Sequence, residues 1–333
     1  MEEAYFKESY DVINKDIKKA VSINYDLFQN PQISLLKYSE NIICLITDAE
    51  NRKAVVRINR PNYHNAEELE SELAWITQIR KWTDINTAVV YHGRNGKVLQ
   101  NFTSAGGFEY TYSIQSFVEG KTLKELENGI YDGMEKVGMT AAKLHLLEEK
   151  FPHDKNNFKR FTWDINDTLS EEARWGHFLL FEGMTSEEKE IFLNAEIIMK
   201  QRLEKYGRNP NNYGLIHSDL HSENLIIDKD RISLIDFDDC GYGWYLYDLA
   251  SAVSQQSENI GEFVSAYLKG YQKIRKLSEA DMREIDTFVL MRRFVRLGWM
   301  TTRKDNGVFE REGKKYYKKT KEMVCEYLEK SEM

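Results

Sequence analysis

"GLIHSDLHSENLIIDKDRISLIDFDDCGYGWYLYDLA", residues 214–250, carries two histidines and seven aspartates within 37 residues. Its apolar runs "GLIH", "NLIID" and "ISLID" read as short strands separated by polar loops. Three chemistries could draw on such a stretch. Zinc would use His217 and His221, which stand four apart as in a zinc-protease helix. However, Ser-Asp-Leu lies between them, no Glu follows the first His, and "GLI" points to a strand rather than a helix. A Ser/His/Asp triad would need Ser218 to meet His217 and Asp219, but adjacent residues rarely point at one another and no G-x-S-x-G elbow is present. Phosphoryl transfer fits better. It needs a carboxylate near the acceptor hydroxyl and hard oxygen ligands for Mg²⁺. Asp219 can orient the hydroxyl and accept its proton. Asn224, five residues on, and Asp236, twelve further, can bring oxygens to the metal from two neighbouring loops.

The whole chain is compatible with that chemistry. Its 333 residues suffice for one large domain or two lobes. The composition is globular, with 41% hydrophobic and 30% charged residues and only 4 prolines. A net charge of −8 argues against a nucleic-acid partner, because a phosphate backbone needs a basic face. Cys44, Cys240 and Cys325 are few and scattered, which gives neither a disulfide framework nor CxxC zinc spacing. The acidic, polar start "MEEAYFKESY" is no signal peptide, and no apolar run approaches the roughly 20 residues that span a bilayer. A cytoplasmic location with no membrane partner is expected.

Along the chain, the first 28 residues read as mostly helical. β-type runs follow near 33–38, 41–48 and 54–59, then an amphipathic helix over 66–82, then strands near 87–92 and 110–118. Gly120 marks a connector in "VEGKTL". Beyond it the pattern is mainly helical, over 121–127, 131–148, 186–206, 258–274, 278–302 and 314–330, with an irregular connection at 149–165. The expected architecture is α+β: an N-terminal lobe over 1–117, with a small antiparallel sheet and one key helix, and a larger, mainly helical lobe over 118–333.

The central stretch resembles the catalytic core of the aminoglycoside phosphotransferase and choline kinase-like superfamily, which shares the protein-kinase fold. The family pattern is H-x-D-x-x-x-x-N followed by a strand ending in I-D-[FW] and a segment ending in Y-D-L-A. Here these read His217-Ser218-Asp219 through Asn224, Ile235-Asp236-Phe237, and Tyr247-Asp248-Leu249-Ala250. By resemblance Asp219 is the catalytic base, Asn224 and Asp236 hold Mg²⁺, His217 supports the loop and Asp248 braces it.

The resemblance implies further nucleotide contacts. Arg57 in "AVVRINR" stands where protein kinases place Lys, with Glu72 as its helix partner and Glu68 as the competing choice. Ser39 to Asn41 would face the phosphates, and the hinge would offer the Ser116 carbonyl and the Val118 N–H to adenine. His145 would be structural. A looser likeness runs to the homoserine kinase type II and bacterial stress response kinase branch, through Arg293, Arg296, Trp299, Arg303 and Asp305.

The expected activity is ATP- and Mg²⁺-dependent transfer to a hydroxyl of a small, amine-bearing metabolite or aminoglycoside. Asp238, Asp239 and Trp244 are the candidate acceptor residues, and Trp163 and Trp175 are further candidates to line the acceptor side. The alternatives are a Ser/Thr protein kinase of the stress response type and a nucleotide-binding pseudokinase. The sequence does not name the acceptor.

Overall fold

The computed structural model describes residues 6, 8–28, 30–38, 40–126, 129–150, 158–229, 231–256, 258–304 and 307–332. The chain divides into two compact units. The first is Met1–Glu119 with His153–Lys159, and the second is Gly120–Pro152 with Arg160–Met333.

The first unit is built on strands β1 (Gln32–Tyr38), β2 (Ile42–Thr47), β3 (Lys53–Ile58), β5 (Leu99–Thr103) and β6 (Glu109–Ser116), in the antiparallel order β1-β2-β3-β6-β5. A two-residue strand, β4 (Asn86–Thr87), precedes β5. Strict alternation in β2 buries Ile42, Cys44 and Ile46 on one face. Helix α1 (Tyr10–Asn24) adds Ile13, Ile17 and Val21 to the same core. Helix α2 (Ala66–Trp82) opens with a capping box. The Asn65 side chain accepts the Glu68 N–H at 2.9 Å, and the Glu68 carboxylate accepts the Asn65 N–H at 3.1 Å. Its buried face is Leu69, Glu72, Leu73, Ile76 and Ile79.

The second unit is mainly helical. Its strands are short: β7 (Lys121–Thr122), β8 (Thr162–Trp163), β9 (Tyr213–Ile216), β10 (Leu225–Asp228), β11 (Arg231–Leu234) and β12 (Gly241–Trp244). Strand β10 lies between β7 and β11, and β12 lies between β8 and β9. The helices are α3 (Gly129–Lys150), α4 (Ile165–Leu169), α5 (Ser186–Tyr206), α6 (Tyr245–Val253), α7 (Ile260–Tyr271), α8 (Glu279–Thr302) and α9 (Lys314–Glu332).

Two glycines let α3 and α7 meet backbone to backbone. A Cβ on Gly270 would overlap the Glu135 carbonyl, and one on Gly138 would overlap that of Tyr267. Among the described residues no helix is long and apolar enough to cross a membrane.

Most expected elements are present, with three corrections. The helix expected over 121–127 is absent from its described residues, 121–126: Lys121 and Thr122 pair with Ile227 and Ile226, and a 3₁₀ turn, Leu123–Glu125, follows. The strand expected near 87–92 shrinks to β4 and a single bridge between Val90 and Gln115. Strand β5 was not anticipated, because "LQNFT" lacks a sustained apolar run. Part of the connection at 149–165 lies outside the described residues; its described end forms β8 and starts α4.

Candidate active site

The strands of the second unit place the chemical groups at their ends. Strand β9 delivers His217 and Asp219, and β10 begins just after Asn224. Asp236 follows β11, and the loop from Phe237 to Cys240 returns to β12. Two residues here hold a left-handed backbone that L side chains rarely adopt, Ser218 at φ 65° and Asp236 at φ 61°. Such a loop persists only where its surroundings over-determine it.

Asp248 supplies much of that constraint. Fully buried at the start of α6, its carboxylate accepts the backbone N–H of His217 at 3.1 Å and of Ser218 at 2.6 Å. It also meets His145 Nε2 at 3.1 Å, while the other ring nitrogen of His145 lies 2.9 Å from the Tyr271 hydroxyl. Burial pushes both His145 and His217 below the usual imidazole range, so each is a neutral ring. His217 Nε2 donates to the Ile235 carbonyl at 3.1 Å and its Nδ1 accepts the Asp219 N–H at 3.4 Å. The Ile235 N–H in turn donates to the Asn224 carbonyl at 3.1 Å. A single imidazole thus spans the Asp219 loop and the segment that follows β11 and leads to Asp236.

Asp219 is the convergence point. Its Oδ2 accepts Asn224 Nδ2 at 3.0 Å and lies 3.1 Å from His221 Nε2. The His221 Nδ1 accepts the Glu223 N–H at 3.2 Å, which leaves the proton on Nε2, pointed at the carboxylate. Its Oδ1 receives Arg292 Nη2 at 2.8 Å. Burial alone would raise this carboxyl, but His221 and then Arg292 outweigh it and hold Asp219 well below the usual carboxylate range.

The Asn224 amide nitrogen is spent on Asp219, on Oδ2 and on the main-chain carbonyl at 3.0 Å. Its Oδ1 is thereby the atom available to a cation. Asp236 is exposed beyond Ile235. Among the described residues no group of three or more His, Cys, Asp or Glu forms a metal cage. Two hard oxygen donors fit Mg²⁺, which usually takes one or two protein carboxylates and completes its shell with water and phosphate.

The loop after Asp236 is pinned by its carbonyls. Arg160 donates to the Asp238 and Cys240 carbonyls, the latter at 2.7 Å. The Asp239 carbonyl accepts Trp163 Nε1 at 2.7 Å and Ser218 Oγ at 2.5 Å. Asp238 is buried and Asp239 half-buried. Trp244 departs from the expectation of an acceptor-lining residue. It is 1% exposed, packs against Tyr213 and Phe288, and donates to the Gly207 carbonyl at 2.7 Å. It is a core residue of the second unit.

In the first unit, Arg57 and Glu72 form a buried two-pronged pair, with Nη1–Oε1 at 2.6 Å and Nη2–Oε2 at 2.9 Å. Glu68 caps α2, which settles the choice between the two glutamates. Ser116 ends β6, its hydroxyl accepting the Val89 N–H at 2.8 Å, and Val118 follows, half-buried. The Asn41 side chain accepts the Arg60 N–H at 2.8 Å, while Ser39 lies outside the described residues.

Of the "R-x-x-R" helix, Arg293 is fully buried and serves the Ser254, Gln256 and Tyr316 carbonyls. Arg296 pairs with Glu312, and Asp305 lies outside the described residues. Arg292, the arginine that reaches Asp219, carries no signal in the sequence. One of four arginines in α8, it is marked by nothing in the spacing as different from its neighbours.

Residues 39–286 match the Phosphotransferase enzyme family (APH). The microcompartment-associated aminopropanol kinase is similar at 31% identity, over 94% of this chain and 97% of that one, with a TM-score of 0.84. Amicoumacin kinase of Bacillus subtilis (strain 168) is 23% identical over 86% of this chain and 87% of its own. An amicoumacin kinase solved with AMP-PNP, Ca²⁺ and Ami shares the fold at a TM-score of 0.76 and 21% identity, covering 97% of this chain and 95% of that one. The chain belongs to the phosphotransferase enzyme family and is an ATP-dependent kinase.

Proposed function

We propose that the protein transfers the γ-phosphoryl group of ATP to the hydroxyl of a small amino alcohol, with Asp219 as the carboxylate that receives that hydroxyl. The observation that carries this reading is the convergence of three donors on Asp219. They fix the carboxylate while leaving acceptor capacity for one more hydrogen bond. The hydroxyl oxygen attacks the γ-phosphorus, the bond to the β–γ bridging oxygen breaks, and the hydroxyl proton passes to Asp219. Arg57, held rigid by Glu72, would steady the nucleotide phosphates, and the Ser116 carbonyl and Val118 N–H would meet adenine. Asn224 and Asp236 would hold Mg²⁺, which supplies charge neutralisation at the β- and γ-phosphates.

The amine is supported by a relative named as an aminopropanol kinase. Asp238 and Asp239, on a loop whose carbonyls are tied down, would be the carboxylates that recognise it.

The test is a phosphotransfer screen with Mg-ATP over aminopropanol, homoserine, choline, aminoglycosides, neutral sugars and a cell lysate. A phosphate monoester of an amine-bearing acceptor is expected, formed by Asp219→Ala only at a low residual rate with the fold retained. Turnover confined to neutral sugars or to lysate proteins would overturn the acceptor class. Full activity of Asp219→Ala would overturn the role of Asp219.

A further inference from the structure

We propose that Arg292 is a positioning residue of this site: it sets the plane of the Asp219 carboxylate and so the oxygen presented to the acceptor hydroxyl. The inference rests on the reading of Asp219 given above.

A carboxylate on a single methylene turns readily, because its terminal torsion is broad. Holding it in one plane needs ligands on both oxygens. Oδ2 has two, Asn224 Nδ2 at 3.0 Å and His221 Nε2 at 3.1 Å. For Oδ1 the hydrogen bond in place is Arg292 Nη2, at 2.8 Å. An ionised carboxylate offers about four acceptor positions, two on each oxygen. With both taken on Oδ2 and one on Oδ1, the position left for a hydroxyl is on Oδ1, beside the guanidinium.

Arg292 is itself well seated. Its side chain is 5% exposed, and its guanidinium lies over the rings of Trp175 and Tyr247, at 4.9 and 5.7 Å from their centroids. Trp163 stacks on Tyr247 from 5.6 Å and donates to the Asp239 carbonyl. The aromatic bed of the arginine is therefore continuous with the loop after Asp236. A buried planar cation against two rings has little freedom to follow the carboxylate, so the carboxylate follows the cation.

The pairing has a chemical cost, because a carboxylate tied to a guanidinium is a weaker base. Phosphoryl transfer tolerates this, since its loose transition state asks more of alignment than of proton abstraction. An arginine here favours a carboxylate that aims the nucleophile over one that deprotonates it early.

The experiment is a double-mutant cycle on the full chain with Mg-ATP and aminopropanol, or the fastest acceptor of the screen. Arg292→Met should lower kcat about a hundredfold, as a misplacement of about 1 Å does, with KM for ATP within about twofold of wild type. In the Asp219→Ala background, where nothing remains to aim, the same substitution should lower the residual rate no further. Arg292→Lys should fall between, with kcat down about tenfold, because an ammonium keeps the charge and loses the planar seat. It also serves as the test if Arg292→Met does not yield folded protein.

Wild-type kcat in either variant would overturn the proposal. So would an equal loss in both backgrounds, the mark of a merely structural residue. Wild-type turnover in Asp219→Ala would instead remove the reading of Asp219, which keeps the two failures apart.

Discussion

The Asp248 carboxylate accepts the backbone N–H of Ser218 at 2.6 Å, and Ser218 stands at φ 65°. A buried charge and a strained turn thus hold one another. The turn presents two successive N–H groups, of residues 217 and 218, to the carboxylate, and the carboxylate repays the strain of presenting them. Asp219 is the next residue, so its direction follows from this exchange.

Asp248→Ala leaves the N–H groups of His217 and Ser218 and the ring of His145 without their acceptor in the interior. Stability should fall by about 3 kcal/mol, allowing for partial relaxation. For a unit of this size that is about 10 °C in Tm, measurable by calorimetry. At a temperature where the variant is still folded, kcat should fall about a hundredfold as the Asp219 loop loses its aim.

Substitutions at Ser218 should rank by backbone and not by polarity. Ser218→Gly removes the left-handed strain and also the hydroxyl that meets the Asp239 carbonyl, and the two effects offset to within about 1 kcal/mol. Ser218→Val adds β-branching at positive φ and should cost about 2–3 kcal/mol. Chemical denaturation of the three proteins checks the order, and a valine variant as stable as the glycine one would contradict it.

Arg57→Lys retains the charge but forfeits the two-pronged grip on Glu72. KM for ATP should rise about tenfold while the KM for the acceptor holds. Glu68→Ala, which removes the cap of α2 and the 3.2 Å contact to His64, should lower stability by about 1 kcal/mol and leave KM for ATP near wild type.

Glu188 ties α5 to α9. Its carboxyl is held down at about 2 by Lys321, with a 2.7 Å contact, and by the Thr185 backbone N–H. A depressed folded-state value means that the stabilisation is complete above the unfolded carboxyl range and is lost as pH falls towards 2. The stability gap between wild type and Glu188→Gln should be largest near pH 6 and close below pH 3. A gap that widened with acid would reverse the sign and refute the assignment.

Much of this site could be read from the one-dimensional spacing. Asp219, Asn224, Asp236 and Asp248 lie within 30 residues, the first three on short loops and the last at the start of α6. Glu68 stays a competitor of Glu72 in the sequence, although the N-x-x-E cap that consumes Glu68 carries the signal that separates them. Arg292 was not legible. It reaches Asp219 across 73 positions in the chain, and Arg293, beside it, points to an unrelated set of carbonyls. Helical periodicity separates faces but not the two arginines on adjacent steps of a buried helix. Residues 121–122 failed for a related reason: their pairing partner, β10, lies a hundred residues away, and tertiary pairing overrode local preference.

The glycine contact between α3 and α7 is also a gauge for the loop that carries Asp219. Gly270 rests on the Glu135 backbone, and the next residue, Tyr271, carries the hydroxyl that meets His145 on the facing helix. His145 hands that spacing on to Asp248, and Asp248 to residues 217 and 218. The separation of two helices is therefore copied, through one phenol and one imidazole, into the pitch of the loop that aims Asp219. A single methyl group on Gly270 would act as a shim under that whole train. The loss would surface as slow turnover in an enzyme whose every chemical group is intact.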